Sequence, residues 1–365
     1  MLFPYAPAYR GPIYMLMDKN LDVDWYFAGN AKRNLKMFDY SLFKHCNLDM
    51  EERKVLGPIT RYKGINGLPL EQYDIIIFAG VIRCLSEWWL MWKFGRKKKG
   101  PKLYLWTHGW YGKESVVVKI LKKLFFYRVD GFLLYGNYAK NLMIKEGFDN
   151  SKLHVIYNSL DYDKQLDIRS CISLSDVYTS YFDNNNPVVI FIGRLTAVKN
   201  LGLLINALSF LKNRGEEYNL VFVGDGEMRD NLEREAIKCG LRDNVWFYGA
   251  CYDEKTNAEL LYNADVCVSP GNIGLTAMHS LMFGCPIISH NDFKWQMPEF
   301  ESIQPGKTGD FFDFNNVESL SRCISKWLLT KGSKREEIRR ACYKVMDERF
   351  NPHYQLSVLE RILIR

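Results

Sequence analysis

Short apolar runs alternate with longer stretches whose apolar positions recur every three or four residues, and this continues along most of the 365-residue chain. Buried parallel strands produce the first pattern and helices lying on a sheet produce the second, so the alternation predicts βαβ units. One series of strands is expected at Val23–Phe27, Asp74–Ala79, Leu103–Thr107, Gly131–Tyr135 and Leu153–Tyr157, with helices over Glu114–Arg128 and Tyr138–Glu146. A second is expected at Val188–Gly193, Leu220–Gly224, Val245–Gly249, Val266–Ser269 and Pro286–Ser289, with a last short strand near Phe311. Each series suits one Rossmann-like domain, which makes the fold class α/β. The opening is irregular: Tyr5 to Arg10 already has loop character, so the first strand of the first domain is short or missing.

Length agrees with two domains, because single cores rarely grow past roughly 250–300 residues. The pattern places an N-terminal domain at 1–165 and a polar linker at 166–187, ending in Asp183-Asn184-Asn185-Asn186-Pro187. A C-terminal domain follows at 188–345. The segment 346–365 is expected to form a final helix after the break at Asn351-Pro352, crossing back onto the first domain.

Charge changes the picture. Residues 1–164 hold 26 Lys and Arg against 16 Asp and Glu (+10), and the remainder holds 23 against 26 (−3). A basic first half points to an anionic partner, either nucleic acid or a membrane surface carrying lipid-linked substrates. The densest run is Lys93, Arg96, Lys97, Lys98, Lys99 and Lys102, which also reads as a solvated loop before a strand. Nine cysteines lie at least twelve positions apart, with no CxxC pair, so neither a metal centre nor a disulfide scaffold is expected and a reducing cytoplasm fits. Met1 to Pro12 carries three prolines and no apolar run, so no secretory signal or anchor is expected there. No stretch reaches the roughly 18 to 20 apolar residues that span a bilayer.

The chemistry concentrates after the strand Val188–Gly193. Arg194 and Lys199 follow the glycine five residues apart, at the edge where doubly wound sheets bind ligands. A guanidinium grips phosphate oxygens in pairs and an ammonium adds a point charge, so the two suit a leaving diphosphate without a metal. The same pair also reads as ordinary surface charge. Downstream, Ser269-Pro270-Gly271-Asn272-Ile273-Gly274-Leu275 leads into a helix running through His279, and amides at a helix start bind phosphate or sugar hydroxyls. A plain strand-to-helix turn is the alternative. Gly224-Asp225-Gly226 has Arg229 where a dinucleotide fingerprint needs its third glycine, so it reads as a turn.

Taken in order, these segments resemble glycosyltransferase family 4, a retaining family with two Rossmann domains facing each other across a cleft, the GT-B fold. The resemblance runs from Val188 to about Trp327 through Gly193-Arg194 to Lys199, Val223-Gly224-Asp225-Gly226, Val245-Trp246-Phe247-Tyr248-Gly249, Ala264-Asp265-Val266, Ser269-Pro270 and Gly284-Cys285-Pro286-Ile287-Ile288. Val155 to Asp161 and Asp130 to Tyr138 resemble the end of the family's first domain more loosely. The resemblance implies that Arg194 and Lys199 hold the donor diphosphate, with Gly193, Gly271, Asn272, Ile273, Gly274 and Leu275 around the donor. It also places His108 near the reacting sugar, although a strand-end residue capping a loop reads equally well. Two departures stand out. The family's two glutamates, eight positions apart, are replaced by Gly271 and His279. Glycine offers no side chain to a sugar hydroxyl. Asn272 is a candidate for the missing contact, and His279 either meets the ribose through a ring nitrogen or belongs to the core.

The function expected is therefore transfer of a sugar from a nucleotide diphosphate sugar to a glycan or lipid-linked glycan, with retention, in surface polysaccharide or lipopolysaccharide assembly. Neither a cofactor nor a metal is expected, and no nucleic acid partner. The helix around Lys119, Lys122, Lys123 and Arg128, interleaved with Val117, Ile120, Leu121, Leu124 and Phe125, either rests on an anionic bilayer at the cytoplasmic face or simply covers a sheet. Two other classes remain open: a catalytically silent sugar-nucleotide binder, and a nucleic-acid binder that ignores nucleoside diphosphates.

Overall fold

The computed structural model describes residues 1–29, 36–97, 99–330 (backbone alone at Thr330) and 334–363. Lys98 of the basic run and the last two residues of the 346–365 segment lie outside the described residues. The chain folds into two compact units, Met1–Asp161 with Asn351–Arg365, and Tyr162–Phe350.

The first unit opens with β1 (Leu2–Phe3), only two residues long, followed by α1 (Gly11–Asn20). Next come β2 (Trp25–Phe27) and β3 (Cys46–Asn47), then an antiparallel hairpin of β4 (Glu51–Leu56) and β5 (Ile59–Lys63). The unit continues through β6 (Ile75–Phe78), α2 (Leu85–Phe94), β7 (Lys102–Thr107), α3 (Val116–Phe126), β8 (Gly131–Leu134), α4 (Asn137–Lys145) and β9 (Leu153–Val155). Seven of these strands form one sheet in the order β3-β2-β1-β6-β7-β8-β9, and every pairing in it is parallel. Both faces are buried. Phe78, Leu105, Phe132 and Leu134 enter one core, while Ile77, Trp106 and Leu133 alternate to the other. Full burial of such side chains contributes about 1.5–3 kcal/mol each, which explains why their strands read as continuous apolar runs.

The second unit has α5 (Tyr162–Cys171), α6 (Thr179–Phe182), β10 (Val188–Ile192), α7 (Gly202–Lys212), β11 (Asn219–Val223), α8 (Arg229–Lys238) and β12 (Val245–Gly249). It then runs through α9 (Glu254–Asn263), β13 (Val266–Ser269), α10 (Thr276–Met282), β14 (Ile287–His290), β15 (Gly309–Phe312), α11 (Val317–Thr330) and α12 (Arg335–Glu348). Its sheet has the order β12-β11-β10-β13-β14-β15, all parallel. The order reverses between β10 and β13, which is the switch point where doubly wound sheets leave a crevice for ligands.

Two expected boundaries move. The stretch 166–187 is not a linker. Residues 162–187 belong to the second unit and contain α5 and α6. Polar bonds and an aromatic stack hold them: Gln165 Nε2 donates to Glu254 at 2.6 Å, Arg169 donates twice to Asp347 at 2.9 and 3.1 Å, and Tyr181 stacks on Trp246 at 4.0 Å. The final helix starts at Pro352, after the Asn351-Pro352 break as expected, but the boundary at 346 moves: residues 346–350 stay with the second unit because α12 runs on through buried Val345 and Met346. Asn351 Oδ1 accepts the Tyr354 amide at 2.8 Å with proline in the first helical position, a standard start. The last helix packs on α1, and its Gln355 donates to the Tyr157 carbonyl at 3.0 Å, within the first unit.

Candidate functional site

In the second unit the carboxyl ends of β10, β11 and β12 and the start of α10 surround a cleft of about 390 Å³. Gly193 and Arg194 line it after β10, Gly224 and Asp225 after β11, Ala250 to Tyr252 after β12, and Leu275, Thr276 and His279 from α10 and the residue before it. The first two loops touch backbone to backbone. Gly193 donates to the Val223 carbonyl and Leu195 to the Asp225 carbonyl, each at 2.9 Å, and a Cβ on Gly224 would sit 1.8 Å from the Gly193 oxygen. Gly224 is thus required by close approach. Thr276 Oγ1 donates to the Ile192 carbonyl at 2.9 Å, fixing α10 to the end of β10.

Arg194 is exposed on this cleft. Lys199 ends a 3₁₀ turn (Ala197–Lys199) and sits deeper, outside the lining. Its Nζ donates to the Asn272 carbonyl at 2.6 Å and to Asn272 Oδ1 at 3.0 Å. Burial, reinforced by the charge of Arg194 and opposed by Glu299, lowers its pKa to about 8. The structure therefore divides the expected pair: Arg194 faces the cleft and Lys199 holds the loop beneath it.

That loop carries most of the other expected residues. Gly271 donates to the Lys199 carbonyl at 2.9 Å, and Ile273 is fully buried with its amide on Gln296 Oε1 at 2.9 Å. Gly271, Asn272, Ile273 and Gly274 do not line the cleft, whereas Gly193, Leu275 and His279 do. At Gly271 a Cβ would lie 2.1 Å from the Val198 carbonyl oxygen. Backbone occupies the space a glutamate would need. α10 is seven residues long, and the amides of Ala277, Met278 and His279 are already donated to Gly274 and Leu275 carbonyls.

His279 is half-buried, with Nδ1 3.4 Å from Glu254 Oε1, close enough for an ionic contact but too poorly aligned for a hydrogen bond. Burial works to raise the Glu254 pKa, yet His279, Gln165 and Lys164 hold it below the ordinary glutamate value. Asp225 lies in the Gly224-Asp225-Gly226 segment that reads only as a turn in the sequence, and Glu254 and Tyr252 fall in none of its motifs. Asp225 and Tyr252 follow strands, so reading each position just past a strand's carboxyl end would have found them. Glu254 follows no strand directly and had no such signal.

His108 lies in the first unit, after β7. Its ring packs on Tyr135 at 4.7 Å and Tyr111 at 5.8 Å, and its Nδ1 has no hydrogen-bond partner among the described residues. Burial first, then the charges of Arg10 and Lys122, push its pKa down to about 4, so the ring is neutral near pH 7.

Residues 179–345 match the family model described as Glycosyl transferases group 1. Over 167 residues the chain is 31% identical to a GDP-mannose-dependent alpha-(1-6)-phosphatidylinositol dimannoside mannosyltransferase of Mycobacterium tuberculosis, covering 45% of this chain and 40% of that protein. An uncharacterized glycosyltransferase of Methanocaldococcus jannaschii is 30% identical over 149 residues, which is 38% of this chain and 36% of the relative. The chain thus aligns with well under half the length of these relatives. Among solved structures it resembles the lipopolysaccharide outer core galactosyltransferase WaaB, with a TM-score of 0.71 at 15% identity over 100% of this chain and 98% of that one. It also resembles Anabaena HepE in complex with UDP, with a TM-score of 0.62 at 17% identity over 81% and 80%. The fold is that of the GT-B glycosyltransferases, two Rossmann-like units in one chain.

Proposed function

We propose that the protein is a glycosyltransferase that moves a sugar from a nucleotide diphosphate donor to a glycan or lipid-linked glycan. The observation that carries this is the cleft at the switch point of the second sheet, with Arg194 exposed in its wall. Negative charge builds on the departing diphosphate, and a fixed guanidinium there stabilises it without reorganisation. Donor binding then falls to Gly193, Arg194, Leu275 and His279, with Lys199 acting through the 272–273 loop it holds. Retention at the anomeric carbon goes with this reading, as the family resemblance implies, and a glycosidase-type hydrolysis would need two positioned acids in the cleft. Metal independence belongs to it too, and activity that survives a chelator is the expected result. The relatives with GDP-mannose and UDP in their names make those nucleotides the first to try.

The acceptor side is placed on the first unit, with contact to an anionic bilayer through α3 at the cytoplasmic face of the membrane. Among the described residues no helix is long and apolar enough to cross a membrane. A silent sugar-nucleotide binder is the second reading, favoured by the backbone that excludes any acid at Gly271. It predicts donor binding with no turnover.

The test is a thermal-shift screen with UDP-, GDP-, ADP- and CMP-linked sugars. A ligand held 100-fold above its Kd adds about 2.7 kcal/mol to the native state. Wild type is expected to respond to one nucleotide class and Arg194→Ala to lose that response. An undiminished response in the variant removes the phosphate site and the reading with it.

A further inference from the structure

The first unit contains a buried cation that its own fold leaves unmatched. Arg10 precedes α1 and is only 8% exposed. Its guanidinium carbon lies 4.7 Å from the centre of the Trp106 ring and 5.2 Å from that of Tyr135, which mark the carboxyl ends of β7 and β8. Nη1 donates to the Tyr14 hydroxyl at 3.3 Å, whereas Nε and Nη2 have no hydrogen-bond partner among the described residues. Trp106 Nε1 and His108 Nδ1 are buried and without a hydrogen-bond partner among the described residues as well, and the His108 ring packs on the same Tyr135 at 4.7 Å. Burial works against the Arg10 charge, and the groups that oppose this effect are Tyr14, Tyr9 and Tyr5.

Buried donors are ordinarily satisfied, and a buried charge is ordinarily paired or hydrogen-bonded throughout. Stacking on two aromatic rings offsets part of the penalty but supplies no acceptor oxygen. The Arg10 guanidinium and the His108 ring both pack on Tyr135, and Arg10 also lies over the Trp106 ring, at the carboxyl edge of the parallel sheet where such folds bind ligands. α1 begins beside them with no side-chain cap and no acid in its first turn, so its positive end adds to the same field. What the cluster lacks is a compact group of acceptor oxygens carrying negative charge.

We propose that Arg10, with Trp106 Nε1 and His108, forms an oxyanion site in the first unit, taking a carboxylate or phosphate group. Under the glycosyltransferase reading that group belongs to the acceptor; the residues of the site all come from the first unit.

The experiment follows the melting temperature of the full chain without nucleotide, in the presence of D-glucuronate, D-glucose 1-phosphate or neutral D-glucose. Wild type is expected to be stabilised by at least one of the two anions and not by glucose, and the responding sugar separates carboxylate from phosphate. Arg10→Met removes the charge while keeping similar bulk. Burying a charge that has no ionic partner is costly, so the variant is expected to melt at or above the wild-type temperature, with no anion response. Arg10→Lys, which keeps charge without the planar fork, is expected to respond more weakly than wild type. No response of wild type to either anion overturns the proposal. So does a large loss of stability in Arg10→Met, which would make the guanidinium a structural group, or an unchanged anion response in that variant. If wild type responds to the anion but to no nucleotide sugar, the donor reading falls and the oxyanion site stands.

Discussion

At Gly271 the absence of a carboxylate is a packing fact before it is a chemical one. A Cβ there would also meet Lys199 Cα and its carbonyl carbon, both at 2.7 Å, so the 198–199 backbone has moved into the space a side chain would take. The close approach lets Gly271 donate to the Lys199 carbonyl, while Lys199 Nζ donates to Asn272. Gly271→Ala is therefore expected to lose about 1–3 kcal/mol, the usual cost of overpacking a tight contact. Gly271→Glu is expected to lose at least as much without gaining donor affinity. Urea denaturation checks the first, and an alanine variant as stable as wild type would show that the loop yields freely. The missing acid was legible in the sequence as a departure from its resemblance, but its cause was not, because it rests on a contact between positions 73 apart.

Helix α3 shows what an element can lack. Its Ser115 cap accepts the Val118 amide, and Phe125 and Phe126 bury fully against the first unit. Yet Val116 is 73% exposed, Val117 66%, Ile120 55%, Leu121 41% and Leu124 58%. Lys119 and Lys123 flank this face and share Glu146, while Lys122 pairs with Glu114 beneath Trp110. An apolar face bordered by lysines is suited to the boundary of an anionic bilayer. Cosedimentation with phosphatidylglycerol vesicles is expected, and Val117→Asp with Ile120→Asp should reduce it tenfold or more while the nucleotide response stays. Equal retention on neutral phosphatidylcholine vesicles would count against the charge argument. The sequence displayed this amphipathic pattern, together with the buried strands, because period and apolar content are local properties. The shortness of β1 was legible in the loop character of Tyr5 to Arg10, but the two-residue β3 was concealed, because two residues are too few for a period. The sequence also concealed α5, whose only buried residue is Gln165 and whose anchors are polar bonds to α9 and α12. Such anchors exist only once distant positions meet.

On the scale of the whole chain, two sheets with separate cores imply two sites that respond separately. The cleft beside Arg194 draws its lining residues from Tyr162–Phe350, and the Arg10 cluster draws its own from the first unit. Ligand linkage stabilises the native state of whichever cooperative unit contains the site, and it reaches the other only through the free energy that couples them. Scanning calorimetry is expected to resolve two transitions. The nucleotide that wild type recognises should raise one of them, an effect lost in Arg194→Ala and kept in Arg10→Met, while Arg10→Met should alter the other. A single transition that both substitutions and both ligands move together would mean that the units unfold as one body. The connectivity supplies a reason for separateness as well as a limit to it. The chain leaves the first unit at Asp161 and returns at Asn351, so two covalent crossings tie the units together, and the last helix must fold after the second unit has been made. Removing that helix by truncation at Asn351 should therefore lower the transition of the first unit, whose Tyr157 carbonyl and Ser159 hydroxyl lose Gln355 as a partner, and leave the nucleotide-dependent transition in place.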